Sequence, residues 1–140
     1  MSTLVVDASV AAKWFLDEVH SRAARHVLES GSDLVAPDFL LLEIDSVLCK
    51  RLRRGDLTEA DCTEARLLVR QLPITFHPVA AVQDAAYDLA MRTGHSVYDC
   101  LYVALAMLLD CKVVTADRRL ANAFADDPAS SYVQWIEETA

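Results

Sequence analysis

The chain has 140 residues, 54% hydrophobic and 24% charged, with only 3 Gly and 4 Pro and a net charge of −8. That is enough chain for one globular domain with a buried core, and the composition is neither disordered nor fibrous. The acidity excludes a protein that wraps nucleic acid electrostatically, but not an enzyme that gathers carboxylates in a metal pocket and places its cations locally.

In chain order, Leu4-Val5-Val6 is a short unbroken apolar run, the mark of a strand buried on both faces. A helix is predicted from Asp7, carrying Ala11, Ala12, Trp14 and Phe15, and a second from Ser21 to Glu29 that stops near Gly31. Leu34-Val35 is a second strand ending at Pro37, and 38–54 is a helix stopped by Gly55. Thr58-Glu59-Ala60-Asp61 reads as a capping box opening a helix that ends before Pro73. Ile74-Thr75-Phe76 is a strand, and Pro78 opens a helix ending at Gly94. The run 99–109 is too long for a strand and apolar all round, so a central buried helix is predicted there. Val113-Val114-Thr115 is a strand followed by a helix over 118–125, and a turn-rich segment leads to a last strand around 132–136.

The longest apolar run, Cys100 to Leu109, has 10 residues, against about 20 for a membrane span. No membrane segment is expected. With no basic leader or cleavage site before Leu4, a cytoplasmic protein is expected. Cys49, Cys62, Cys100 and Cys111 form no C-x-x-C and have no His at ligand spacing, so they read as buried, reduced thiols. Short apolar strands alternating with helices imply one α/β domain over 1–140, with a parallel sheet covered on both faces and its ligand site at the strands' carboxyl ends.

Carboxylates stand at those ends. Asp7 follows the first strand directly, and Asp117 comes two residues after Thr115. Asp99 opens the buried helix, and Glu43 interrupts the apolar run Phe39-Leu40-Leu41-Leu42. The plain alternative is capping: Asp7 and Asp117 fit N-caps, and Ser96 with Asp99 fits a capping box. Glu43 is harder to explain that way, because an acid among apolar neighbours is desolvated without a partner. The helical period does not choose between Glu43 and Asp45, which lie about 200° apart on the wheel.

Four segments resemble the PIN-domain family, and within it the VapC toxins of prokaryotic toxin–antitoxin pairs. They are Leu4-Val5-Val6-Asp7-Ala8-Ser9, the Glu43 helix, Tyr98-Asp99-Cys100-Leu101-Tyr102 and Val113-Val114-Thr115-Ala116-Asp117-Arg118-Arg119. The resemblance implies a three-layer fold with a central, mostly parallel sheet of four to five short strands. It also implies a Mg²⁺- or Mn²⁺-dependent endoribonuclease, usually dimeric and held inactive by a VapB-type antitoxin. Asp7 and Asp99 would then be direct metal ligands, Glu43 would complete the shell or orient water, and Asp117 would hold a second ion or a bridging water. Asp45 stands where the family often has a small or neutral residue, and its role is open.

Hard oxygen-liganded cations suit phosphodiester cleavage because they acidify bound water and neutralise phosphate charge. Ser9 and Thr115 sit near the same strand ends as supporting hydroxyls, although Thr115 also fits as an ordinary strand residue. For RNA contacts, Lys50 and Arg54 share a helical face with Glu43, with dipole complementation before Gly55 as the alternative. Arg118 and Arg119 beside Asp117 are further candidates, and His95 reads as a surface helix-end residue. A receiver domain accepting a phosphoryl group is also small, α/β and acidic at its strand ends. It would want a paired acid and a late Lys that this chain lacks. A catalytically silent PIN-like interaction module is the other alternative. Helices 38–54 and 58–72 read as an adjacent pair offering an apolar groove to an antitoxin segment.

Overall fold

The computed structural model describes residues 2–139, which form a five-stranded sheet: β1 (Thr3–Val6), β2 (Asp33–Pro37), β3 (Ile74–His77), β4 (Lys112–Thr115) and β5 (Val133–Trp135). The order is β3-β2-β1-β4-β5 and every pair is parallel. Val5 faces Val35 on one side and Val113 on the other. Val5 and Val6, like Val113 and Val114, are completely buried. Successive strand residues point to opposite faces, so both faces of the sheet centre are covered. This order differs from the 2-1-3-4-5 of flavodoxin-like receivers, and the receiver alternative falls with it.

The covering helices are α1 (Ala8–Ala11), α2 (Ser21–Glu29), α3 (Phe39–Arg53), α4 (Glu59–Arg70), α5 (Gln83–Thr93), α6 (Val97–Leu109) and α7 (Arg118–Ala123). As its composition predicts, α6 is central: Cys100 to Ala106 are all buried, and the helix packs on β1, β2, β4 and α5. Each large side chain so buried contributes roughly 1.5–3 kcal/mol. The box at Thr58 is present, with Asp61 N donating to Thr58 Oγ1 at 3.1 Å and Thr58 N to Asp61 Oδ2 at 2.9 Å. The chain leaves α2 at Gly31 and α5 at Gly94 with φ of +81° and +74°, where a Cβ would be strained. Between β1 and β4 the winding direction reverses, and such a switch opens a crevice at the carboxyl edge.

Several expectations are corrected. The helix at Asp7 lasts only to Ala11 and tightens into a 3₁₀ turn over Ala12–Trp14. The Trp14 indole donates to Ala24 O at 2.7 Å, which draws the chain toward α2. Pro78 opens a 3₁₀ turn, not a helix. Asp38 Oδ1 accepts from Val79 N at 3.2 Å, and Val82 (φ −124°) breaks the path before α5 begins at Gln83. Ser96 caps α6 by accepting from Tyr98 N, so no Ser96–Asp99 box forms. All four cysteines are free thiols, but only Cys100 is buried and Cys49 is exposed, on the outer side of α3. Among the described residues no helix is long and apolar enough to cross a membrane.

Candidate active site

β1 delivers Asp7 to the switch crevice, where it caps α1 and is 5% exposed. Three donors hold its carboxylate. Oδ1 accepts from Ser9 Oγ (2.6 Å) and Val10 N (3.1 Å), and Oδ2 accepts from Thr115 Oγ1 (2.5 Å). A carboxylate offers about four lone-pair directions, which leaves about one for an outside ligand. The two hydroxyls are themselves oriented, since Ser9 Oγ accepts from Ala116 N (2.9 Å) and Thr115 Oγ1 from Asp117 N (3.0 Å). With backbone N–H groups on their lone pairs, their protons point at Asp7. Burial pushes Asp7 up to a pKa of about 6; the hydrogen bonds from Ser9, Thr115 and Val10 oppose that rise, and the Asp99 charge adds to it.

Glu43 comes in from α3 and accepts the Tyr102 hydroxyl of α6 at Oε1. Burial raises its pKa to about 7; the Tyr102 hydrogen bond opposes this, and the charges of Asp99, Asp7 and Asp117 reinforce it. Burial and the neighbouring Glu43 hold Tyr102 well above the usual phenol range, so its hydroxyl stays a donor. Asp99, in the first turn of α6, sits with Oδ2 2.9 Å from His95 Nε2. Asp117 caps α7 by accepting from Arg119 N at 2.9 Å. All four predicted acids therefore converge: Glu43 feels the charge of the other three. Asp7 and Asp117 are caps as well, so in them capping coincides with a place within the electrostatic reach of Glu43.

The donor set is all hard oxygen, as Mg²⁺ or Mn²⁺ requires. Among the described residues no three His, Cys, Asp or Glu side chains already close into a metal-holding group. Mg²⁺ keeps several waters and needs only one or two direct carboxylates, so a spread ring of acids fits it. Beside Glu43 and Asp99 a cleft of about 440 Å³ runs between α3 and α6. Its wall carries Lys50, Ser46 and the stacked rings of Phe39 and Tyr98, 5.2 Å apart and 14° from parallel.

Residues 4–125 match the PIN domain. The chain belongs to the PIN-domain family. This PIN domain is 36% identical over 126 residues to Ribonuclease VapC3 of Pyrobaculum aerophilum, spanning 86% of the chain and 94% of that protein. Solved structures share its fold. VapC20 of Mycobacterium tuberculosis, a sarcin–ricin-loop-cleaving toxin, superposes with a TM-score of 0.68 at 16% identity, over 86% of this chain and 94% of that one. VapBC2 of Rickettsia felis, solved bound to a fragment of its promoter DNA, gives 0.65 at 11% identity, over 95% and 98%. The PIN-domain and VapC resemblance is thereby confirmed.

The same PIN domain settles where the remaining candidates lie. Asp45 faces away from the pocket and takes a forked pair from Arg66 of α4, Nε–Oδ1 2.8 Å and Nη2–Oδ2 3.3 Å. Its role is to tie α3 to α4. Of the predicted cations, Lys50 lines the cleft, whereas Arg54 is the exposed C-cap of α3 and takes no part in it. Arg119 reaches to 3.9 Å from Asp117, and Arg118 lies over the Trp135 ring. His95 is corrected from a surface residue to the half-buried partner of Asp99. Sequence reasoning also missed Tyr102 and Lys13. Tyr102 is three residues beyond Asp99, hence on the same helical face, which was a usable signal. Lys13 is a mostly buried cation that feels Asp7, and its ammonium is held by Glu18 at 3.3 Å. Glu18 also pairs with Arg51.

Proposed function

We propose that this PIN domain is a metal-dependent endoribonuclease acting as the toxin of a toxin–antitoxin pair. The observation that carries the reading is the convergence of Asp7, Glu43, Asp99 and Asp117 at the switch crevice, with two of the four pushed toward neutral pKa values. Structural acids are normally spread apart or paired with cations; a like-charged cluster is tolerated where a cation joins it. Similarity to VapC ribonucleases along most of both chains supports RNA as the substrate and argues against a silent module.

Asp7, with about one lone pair left, and Asp99 are assigned as the direct carboxylate ligands of Mg²⁺ or Mn²⁺, and Asp117 is placed for a second ion or a bridging water. When bound, the cation supplies a more acidic water and neutralises charge on the phosphate. Glu43, with a pKa of about 7, suits proton transfer at neutral pH. Tyr102 fixes Oε1, leaving Oε2 to take the proton of the attacking water. As the water oxygen bonds to phosphorus, the P–O bond to the departing ribose oxygen breaks, and that oxygen takes a proton from solvent. Lys50, in the cleft with Glu43 and Asp99, and Arg119, beside Asp117, are assigned as phosphate contacts.

The fold kinship with VapBC2 supports a VapB-type antitoxin as partner. The exposed leucines of α3 and α4, Leu42, Leu52, Leu67 and Leu68, offer it and a second copy of the chain an apolar surface. Incubation of the protein with total cellular RNA and Mg²⁺, with cleavage ends mapped, tests the activity. Discrete new ends that vanish with chelator and with Asp7→Asn are expected; intact RNA would overturn the reading.

A further inference from the structure

The Thr115↔Trp135 pairing of β4 and β5 places Trp135 one strand outward from Thr115, at the carboxyl edge of the sheet. Paired residues of neighbouring strands point to the same face. The hydroxyl of Thr115 reaches Asp7, so Trp135 lies in the same row as the pocket, two strand spacings or about 10 Å from Asp7. Its ring is half-buried and fixed from one side by His20, whose ring stands edge-on at 5.4 Å and 82°. Glu137 holds His20 in place through Nδ1.

Over this ring lies the Arg118 guanidinium, with its carbon 3.8 Å from the ring centre. Of the other cations near the pocket, Lys13 and Arg51 are engaged by Glu18 and Arg119 more loosely by Asp117, while Lys50 lines the cleft on the α3 side, away from Trp135. Arg118 makes no ion pair among the described residues and is exposed, on a chain of net charge −8. An arginine that stacks on one face and meets solvent on the other is a ready plane, with its conformational freedom already reduced. Unpaired RNA bases are recognised by stacking on such guanidinium and aromatic planes.

We propose that the Trp135–Arg118 stack is a base-binding subsite that takes one unpaired nucleobase, next to the phosphate at the carboxylate pocket, on the outer face of the guanidinium. The proposal rests on the reading of the chain as an RNA-cleaving enzyme and adds where a neighbouring base is held. It differs from a phosphate contact in one respect: it needs the guanidinium plane and not merely a charge.

The test measures binding in the Asp7→Asn protein, where no cleavage intervenes. The probes are a labelled single-stranded RNA of about 8 nucleotides and a ribose-phosphate strand of equal length lacking bases. Arg118→Lys keeps the charge on an exposed position and is expected to weaken RNA binding about 5- to 150-fold, the range for one lost stacked base. Its binding of the abasic strand should be unchanged. Trp135→Leu should lose a similar factor with Arg118 intact. Equal RNA affinity for Arg118→Lys and its parent, or equal losses on both strands, overturns the subsite. Cleavage by the parent chain is scored separately. RNA cut by a protein whose Arg118→Lys form binds normally defeats the subsite alone. Base-dependent binding without cleavage supports the subsite and defeats the enzymatic reading.

Discussion

Thr115 donates its hydroxyl to Asp7 at 2.5 Å across the seam between β1 and β4, while its oxygen accepts the Asp117 backbone N–H at 3.0 Å. One strand residue thus orients two of the four acids. Thr115→Val keeps the shape but removes both bonds, leaving a buried carboxylate oxygen and a half-buried N–H without their partner, at a cost of about 1–3 kcal/mol in stability. Losing a donor that lowers the Asp7 pKa should also move the acid limb of the pH–rate profile to higher pH. Thr115→Ser should behave like the parent in both. Denaturant melts together with cleavage rates across pH check this; a Thr115→Val profile identical to the parent's would show that the bond does not tune Asp7.

Asp7→Asn and Asp99→Asn are each expected to abolish cleavage with the fold intact. Asparagine serves as an N-cap about as well as aspartate, so the Val10 and Ser9 contacts to Oδ1 survive at Asp7; the Thr115 hydroxyl must turn to accept from the amide, and the ligand charge is lost. Circular dichroism should be unchanged while RNA turnover disappears. Near-normal turnover in either variant would remove that residue from the machinery.

Glu43→Gln and Asp45→Asn should separate cleanly. The first loses the group with a pKa of about 7 at the pocket and should lose cleavage. The second weakens a solvent-screened pair with Arg66 that contributes little to stability, and should cut RNA normally. Side-by-side cleavage assays decide, and loss confined to Asp45→Asn would reverse the assignment.

That contrast also marks what the sequence holds. Unbroken apolar runs showed the inner strands, and acids just after them showed the crevice edge, because both signals are local. Glu43 and Asp45 could not be told apart from the wheel, because what turns Asp45 outward is Arg66, 21 residues away on another helix. His95 read as a helix end because its partner is reached only when the α5–α6 turn folds it back onto Asp99. Tyr102 stands in an apolar run whose composition is that of a core helix, and only its three-residue spacing from Asp99 marks it out. The pairing that sets Trp135 beside Thr115 is likewise long-range, between strands whose order no local pattern specifies.

Without metal, stability should fall as pH rises from about 4 to 7. Asp7 and Glu43 have folded pKa values of about 6 and about 7, raised from 3.8 and 4.5. The folded chain therefore holds protons that the unfolded chain has released. Their contribution is complete below the unfolded pKa values and is lost as pH passes through the folded ones. For buried Asp7 the loss is on the order of 3 kcal/mol. Asp127, held near a pKa of about 2 by Arg92, acts in the opposite sense but only below this window. Urea melts in chelator at intervals across the range give the slope, and a rise in stability between pH 4 and 7 would contradict the buried, mutually repelling acids.

Mg²⁺ should reverse that penalty, and Asp99 variants show whether the acids act as ligands. Binding to the folded state alone stabilises by about 2.7 kcal/mol when free metal is 100 times its dissociation constant. Asp99→Asn removes a charge that raises both Asp7 and Glu43, so its metal-free stability should match or exceed the parent's. It should also lose most of the gain on adding Mg²⁺. A purely structural Asp99 would behave differently. It lies in the first turn of α6 and bonds His95, so Asp99→Ala would cost about 1 kcal/mol through the helix dipole and that bond, with or without metal. Thermal melts of parent, Asp99→Asn and Asp99→Ala in chelator and in Mg²⁺ separate the two cases. A parent melting temperature that saturating Mg²⁺ and Mn²⁺ leave unmoved would mean that the carboxylates gather there for some reason other than a cation.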